Sequence, residues 1–260
     1  MTDTYAAARA ACQPEPNAIE NLRRDFIAKL DKFKNDPSLP PLDDLDIEDA
    51  AFDFIKMVEN CESPADWYTY MGHGAYKECY SLSKNYIIKF ITEQNDTNAE
   101  KMIVRLAEHE GLGHIFMPSL FGSLHGYALP AVEIDAEEKE GAEYPKYNTN
   151  HSQYYWKTPD NYWGPCFVAY VIQPKIKYTD EDSPYFHAEL INKELLTVVN
   201  STTWRNKCIE IYGIETAETL NQFFKEYQIC DLHYGNVGYM EGKNGEDVPV
   251  IIDWISKCNR

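Results

Sequence analysis

The chain has 260 residues, 44% of them hydrophobic and 25% charged, with a formal net charge of −18. That length supports one large domain or two small lobes with a hydrophobic core, while the acidity disfavours nucleic acid and anionic lipid as partners, and no apolar run approaches the roughly eighteen residues of a membrane span. Seven cysteines are scattered without a C-x-x-C pair, which argues against a disulfide framework or zinc ribbon and for a reducing, cytoplasmic setting.

Residues 1–16, closing on Gln13-Pro14-Glu15-Pro16, read as a loosely attached tail without the basic and apolar regions of a secretion signal. Two helical patterns follow, 18–33 and 47–60, separated by Asp36-Pro37-Ser38-Leu39-Pro40-Pro41. In the second, Ala50, Ala51, Phe54, Ile55 and Val58 recur at helical spacing. Residues 1–66 thus read as a tail and helical appendage ahead of a main domain at 67–260.

From Trp67 the pattern turns to strands. They are expected at 67–71, 76–82 and 86–91, joined by Gly72-His73-Gly74 and Ser83-Lys84-Asn85 turns. A helix is predicted over 97–109, with Met102, Ile103, Leu106 and Ala107 on one face, and strands near 120–129 and 167–172. Between them lies an acidic and aromatic insert, 133–165, to which no element is assigned. Six carboxylates face Lys139 between Glu133 and Glu143; they read as a solvated loop rather than a dock for a basic partner. Tyr154-Tyr155-Trp156 reads as packing beneath the insert rather than a ligand platform.

From His187 the chain reads as helices. Leu190, Ile191, Leu195, Val198 and Val199 mark one apolar face, and Ala217, Leu220, Phe223, Phe224 and Tyr227 another. A hairpin closes the order, with strands at 237–240 and 248–252 and the Asn-Gly of Lys243-Asn244-Gly245 favouring a type I′ turn. A strand-rich part followed by a helical part gives an α+β, bilobal reading: an N-lobe at 67–173 and a C-lobe at 174–260.

Three segments point to chemistry. In Met71-Gly72-His73-Gly74-Ala75-Tyr76, glycines at a strand–strand turn let backbone N–H groups approach phosphate oxygens. Lys89, inside Ile87-Ile88-Lys89-Phe90-Ile91, is a cation in an apolar strand and needs an anion or a path to water. Glu100, early in the following helix, is the first choice for a carboxylate partner, with Glu108 and Glu110 as alternatives. The third segment is Ile229-Cys230-Asp231-Leu232-His233-Tyr234-Gly235-Asn236, followed by the hairpin and Ile251-Ile252-Asp253-Trp254. A carboxylate to orient an attacking hydroxyl, and hard oxygen ligands for Mg²⁺, are what phosphoryl transfer asks of a protein. Each residue alone also reads as a turn former or cap. His109, Glu110 and His114 are spaced off a common helix face and do not form a zinc motif.

The set resembles the protein-kinase-like superfamily. Asp231-Leu232-His233-Tyr234-Gly235-Asn236 is similar to the D-x-H-x-G-N loop of aminoglycoside-type phosphotransferases and to that of small serine/threonine kinases encoded by phages. Gly72-His73-Gly74-Ala75-Tyr76 through Ile88-Lys89-Phe90 is similar to the glycine loop and lysine strand of those phage kinases. The resemblance covers residues 67–256. It implies an antiparallel N-lobe sheet, a truncated helical C-lobe, and dependence on ATP and Mg²⁺. Gly72 and Gly74 would cover the triphosphate, and Lys89, paired with Glu100, would hold the α- and β-phosphates. Val171-Ile172-Gln173-Pro174 falls at the family's adenine-binding hinge, Asp231 would be the catalytic base, and Asn236 and Asp253 would bind Mg²⁺.

Departures accompany the likeness. The family's H-R-D reads Ile229-Cys230-Asp231, so the histidine and arginine supports are replaced; His233 stands where eukaryotic-type kinases carry a lysine; and D-F-G is reduced to Asp253-Trp254-Ile255. Seven residues follow Asp253, from which no activation segment is expected. The reading is a cytoplasmic serine/threonine kinase acting on a protein hydroxyl, with a basic substrate matching the chain's charge. A small-molecule phosphotransferase and a nucleotide-binding pseudokinase are the alternatives.

Overall fold

The computed structural model describes residues 16–60, 62–73, 77–92, 94–124, 127, 129–130, 155–157, 163–178, 190–242 and 245–256. The chain is a mixed α+β protein. It falls into two compact units, 1–97 with 119–173 and 98–118 with 174–260. In chain order the elements begin with helices α1 (Pro16–Lys34) and α2 (Ile47–Asn60), strands β1 (Thr69–His73), β2 (Lys77–Ser81) and β3 (Tyr86–Ile91), and helix α3 (Gln94–His109). Strands β4 (Leu120–Ser123), β5 (Leu129–Pro130), β6 (Tyr155–Lys157), β7 (Trp163–Phe167), β8 (Ala169–Pro174), β9 (Lys177–Tyr178) and β10 (Val199–Asn200) follow. Helices α4 (Thr202–Tyr212) and α5 (Ile214–Glu226) precede β11 (Ile229–Cys230), β12 (Leu232–His233), β13 (Val237–Glu241), β14 (Asp247–Ile251) and β15 (Ile255–Ser256). Among the described residues no helix is long and apolar enough to cross a membrane.

The first unit is built on a five-stranded sheet in the order β1-β2-β3-β8-β4. The β1–β2, β2–β3 and β4–β8 pairs are antiparallel. Helix α2 starts where the Asp46 carboxylate accepts the Glu48 and Asp49 N–H groups, at 3.0 and 3.3 Å, which satisfies donors the first turn leaves open. Phe26 of α1 and Phe54 of α2 stack at 4.2 Å, and both rings meet Tyr170 of β8, at 5.8 and 4.9 Å. The helical pair set apart in sequence as an appendage therefore shares one core with the sheet. The proline-rich linker is stitched to the β2–β3 turn: Tyr86 Oη donates to the Pro40 carbonyl at 2.6 Å, and Asn85 Nδ2 to that of Pro41 at 2.9 Å. Gly122 of β4 is required by the same core, since a Cβ there would lie 2.0 Å from the Tyr170 ring.

Strands β5, β7 and β6 form a small three-stranded sheet, so the aromatic end of the insert carries strands where none was assigned. The acidic run at 133–143 lies outside the described residues.

The second unit has its own core, in which Phe116 lies edge-on between Trp254 and Phe223, at 5.1 and 5.8 Å. Helix α4 starts at Ser201, whose Oγ accepts the Trp204 N–H at 3.3 Å. The Trp204 ring is fully buried and its Nε1–H is shared between the carbonyls of Gly238, at 3.1 Å, and Val250, at 3.2 Å. One indole thus anchors both strands of the β13–β14 hairpin to α4.

One sequence expectation needs correction here. Residues 190–198 are not helical: Asn192 Oδ1 accepts the Glu194 N–H at 2.9 Å in a local turn, and Leu196 has φ 54°, which no right-handed helix contains. Leu195 and Leu196 are both buried, so apolar spacing there reports an irregular segment packed on both sides. Of the expected Asn-Gly turn, Lys243 and Asn244 lie outside the described residues; on either side of them Gly242 N–H donates to the Glu246 carbonyl at 2.7 Å and Gly245 has φ 78°.

Candidate active site

The first unit gathers three of the candidate residues on one face of its sheet. Gly72 pairs with Cys79, and Cys79 with Lys89, so all three lie in one row across β1, β2 and β3. Side chains alternate along a strand. Ile88, Phe90, Tyr170 and Ile172 join the core shared with the helices, while Ile91, Ala169 and Val171 cluster on the other face. By the same alternation Lys89, two residues before Ile91, and Gln173, two after Val171, belong to that other face. Lys89 is half-buried between fully buried neighbours. Gln173 is 4% exposed; its Nε2 donates to Ser119 Oγ at 2.6 Å, while its buried Oε1 has no hydrogen-bond partner among the described residues. Gly72 lies inside β1, at a bulge with φ 157°, rather than in a turn, and Gly74 lies outside the described residues.

Glu100 is 9% exposed and shares the buried stripe of α3 with Ile103 and Ala107. Met102, expected on that stripe, is 39% exposed. Glu108 and Glu110, the alternative carboxylates, are exposed. A carboxylate is costly to bury without compensation, and Glu100 is the buried acid among the described side chains of this helix.

The second unit brings Asp231, Asn236 and Asp253 together. Asn236 Nδ2 donates to the Asp231 carbonyl at 2.7 Å and lies 3.4 Å from its carboxylate. The Asn236 carbonyl accepts the N–H groups of Ile252, at 2.9 Å, and Asp253, at 3.3 Å. With its amide nitrogen committed to Asp231, Asn236 offers Oδ1 as the hard ligand atom. The Asp253 carboxylate accepts the Trp254 N–H at 2.9 Å, which orients a second candidate oxygen. One amide and one carboxylate fit Mg²⁺, which usually takes one or two protein carboxylates plus phosphate and waters.

Asp231 is exposed and held at φ 64°. The left-handed region costs an L-residue roughly 1–2 kcal/mol, less for Asp and Asn, and survives only where surrounding structure imposes it. It is imposed from both sides. Cys230 pairs with Ile255 in the antiparallel β11–β15 ladder, and Leu232 with Val199 in the parallel β10–β12 ladder. Just beyond, His233 Nδ1 accepts the Gly235 N–H at 3.0 Å, which leaves the neutral ring's proton on Nε2. A Cβ on residue 235 would approach that ring to 2.9 Å, so the close turn needs glycine.

Arg205 and Asn221, passed over in sequence, converge on the segment leading into β10. Both are buried, at 8% and 7% exposure. The Arg205 guanidinium donates to the carbonyls of Asn192, at 3.4 Å, Lys193, at 3.3 Å, and Leu195; burial holds its pKa below the usual arginine range. Asn221 Oδ1 accepts the Leu196 N–H at 3.1 Å. The available signal was Ser201 as the N-cap of an unassigned helix; nothing local announced that its arginine is buried.

Comparison of the chain with protein-family models, with curated proteins and with solved structures found no match.

Proposed function

We propose that the chain is a cytoplasmic, ATP- and Mg²⁺-dependent phosphotransferase of the bilobal protein-kinase-like kind, acting on a serine or threonine hydroxyl of a protein. The observation that carries this reading is the Asp231 loop: an exposed carboxylate in a left-handed backbone, tied to Asn236, whose carbonyl in turn takes the Asp253 N–H. A plain turn has no need of that combination. Support comes from the first unit, where Gly72, Lys89 and Gln173 belong to the sheet face opposite the helices.

In this reading the acceptor oxygen attacks the γ-phosphorus, the bond from phosphorus to the β-phosphate oxygen breaks, ADP leaves, and the hydroxyl proton passes to Asp231. Asn236 and Asp253 would hold Mg²⁺, which when bound would neutralise charge on the phosphates. Lys89, with Glu100 as its carboxylate partner, holds the α- and β-phosphates. The backbone of Gly72 would cover the triphosphate, with Gly74 proposed beside it from sequence alone, and the backbone beside Gln173 would receive adenine.

The test is incubation of the purified chain with γ-labelled ATP, Mg²⁺ and a cell lysate. Label on protein serine or threonine is the expected result. Label on a small molecule points to the aminoglycoside-type alternative, and ATP binding without any transfer points to a pseudokinase; either overturns the protein-kinase reading.

A further inference from the structure

We infer that Arg205 and Asn221 are positioning residues for the Asp231 loop, acting through the parallel pair β10–β12. The inference rests on the phosphotransferase reading for its functional meaning, and on the second unit's geometry for its structural content.

Asp231 is flanked by two ladders of two residues each, one tied to β15 and one to β10. A parallel pair that short has little stability of its own. Whatever holds β10 therefore holds one side of the strained aspartate. Upstream of β10 the chain is irregular, with Leu196 at φ 54° and the Val199 N–H donating to the Leu196 carbonyl at 2.9 Å. Two buried side chains fix that segment from opposite chemical sides. Arg205 takes three of its carbonyls, and Asn221 takes the Leu196 N–H. The segment's start is held as well, by Asn206 Oδ1 accepting the Ile191 N–H at 2.9 Å.

A guanidinium buried against main-chain carbonyls is an expensive way to fill space. What Arg205 adds is a planar fork that fixes several carbonyls at once. The need for such a device is visible in the loop itself. Asp231 is held at φ 64° between two ladders of two residues each, and β10 carries one of them.

The test compares full-length wild type with Arg205→Lys and Asn221→Ala. Lysine keeps the charge but loses the fork; alanine removes one acceptor and guards against an Arg205 variant that fails to fold. Peptide-level hydrogen exchange is followed across 229–236, with a peptide from α2, which carries neither substitution, as an internal control, alongside kcat and KM for ATP. Both variants are expected to exchange faster at 229–236 while α2 is unchanged. They should also lose kcat by on the order of 10- to 100-fold, as displacement of a reacting group does, with KM for ATP within severalfold of wild type. A merely structural role would lower the melting temperature without moving kcat per folded molecule. Unchanged exchange at 229–236 in folded samples of both variants overturns the inference, as does activity lost only in proportion to folded protein. If wild type transfers phosphate to no acceptor, the phosphotransferase reading fails, and the exchange measurement still decides whether the brace exists.

Discussion

Replacing Asp231 separates its chemistry from its backbone. Asparagine tolerates the left-handed region about as well as aspartate, and its side-chain oxygen can still meet the Asn236 amide, which lies 3.4 Å from the carboxylate. Asp231→Asn therefore keeps the loop and removes only the charge and the proton acceptor. General-base contributions are typically on the order of 10²–10⁴-fold, or roughly 3–5 kcal/mol of barrier. Turnover should fall by that factor while ATP affinity changes only severalfold. The left-handed backbone gives a second, opposing readout. Alanine at φ 64° meets the full penalty of roughly 1–2 kcal/mol, whereas glycine avoids it and gives back about 0.4–1 kcal/mol through the unfolded chain. The difference leaves Asp231→Gly more stable than Asp231→Ala, though both are inactive. Labelled-phosphate transfer and thermal melting on the same preparations measure the two effects. An Asp231→Asn protein with wild-type turnover would refute the mechanism, and an alanine variant more stable than the glycine one would refute the strain.

Asp253→Ala should abolish the Mg²⁺-dependent tightening of ATP binding in calorimetric titration, and Mg·ATP affinity equal to wild type would remove Asp253 from the metal set. Glu78 carries a pH signature: burial raises its carboxyl pKa, against the lowering effect of the Tyr80 hydroxyl donating at 2.5 Å. Its contribution to stability is fully present below the ordinary carboxylate pKa and is lost as pH rises through the raised folded value. Glu78→Gln, which keeps an acceptor for Tyr80, should raise the melting temperature at neutral pH and flatten its fall between mildly acidic and neutral conditions; an unaltered pH profile would count against it. Trp204→Phe deprives the Gly238 and Val250 carbonyls of their shared donor and should destabilise the chain by about 1–3 kcal/mol in denaturant titration. A variant as stable as wild type would show the indole to be filling space alone.

The parts of the fold that were legible are those where a single period dominates. The 86–91 strand and the 47–60 helix were placed at their observed bounds because each presents one unbroken pattern to one core. The relation of the N-terminal helices to the sheet was not legible, since the Phe26, Phe54 and Tyr170 cluster joins residues far apart in sequence and no local signal records such a contact. The 190–199 stretch misled for a definite reason. Its apolar residues fit a helical period, but they are buried around a left-handed Leu196, and the groups enforcing that conformation, Arg205 and Asn221, come later in the chain. Period counts apolar positions and is blind to the polar side chains that hold a loop in place.

The candidate site divides along the same line. Asp231, Asn236 and Asp253 could be singled out because their chemistry and spacing are local to one short segment and one hairpin, and the hairpin's register returns Asp253 to the Asn236 carbonyl. Residue type says nothing about φ, however, and the left-handed Asp231 is what distinguishes a loop under constraint from an ordinary turn. That constraint needs two ladders from two directions, and each uses strands of only two residues, too short for alternation to register. The residues that could be named are those proposed to touch the reacting groups, and those that could not are the buried Arg205 and Asn221, whose partners lie upstream of β10. Asp231 lies between two short ladders, one of them carried by β10, so on the inference drawn above its position depends on the buried polar contacts upstream of β10 as much as on its own sequence.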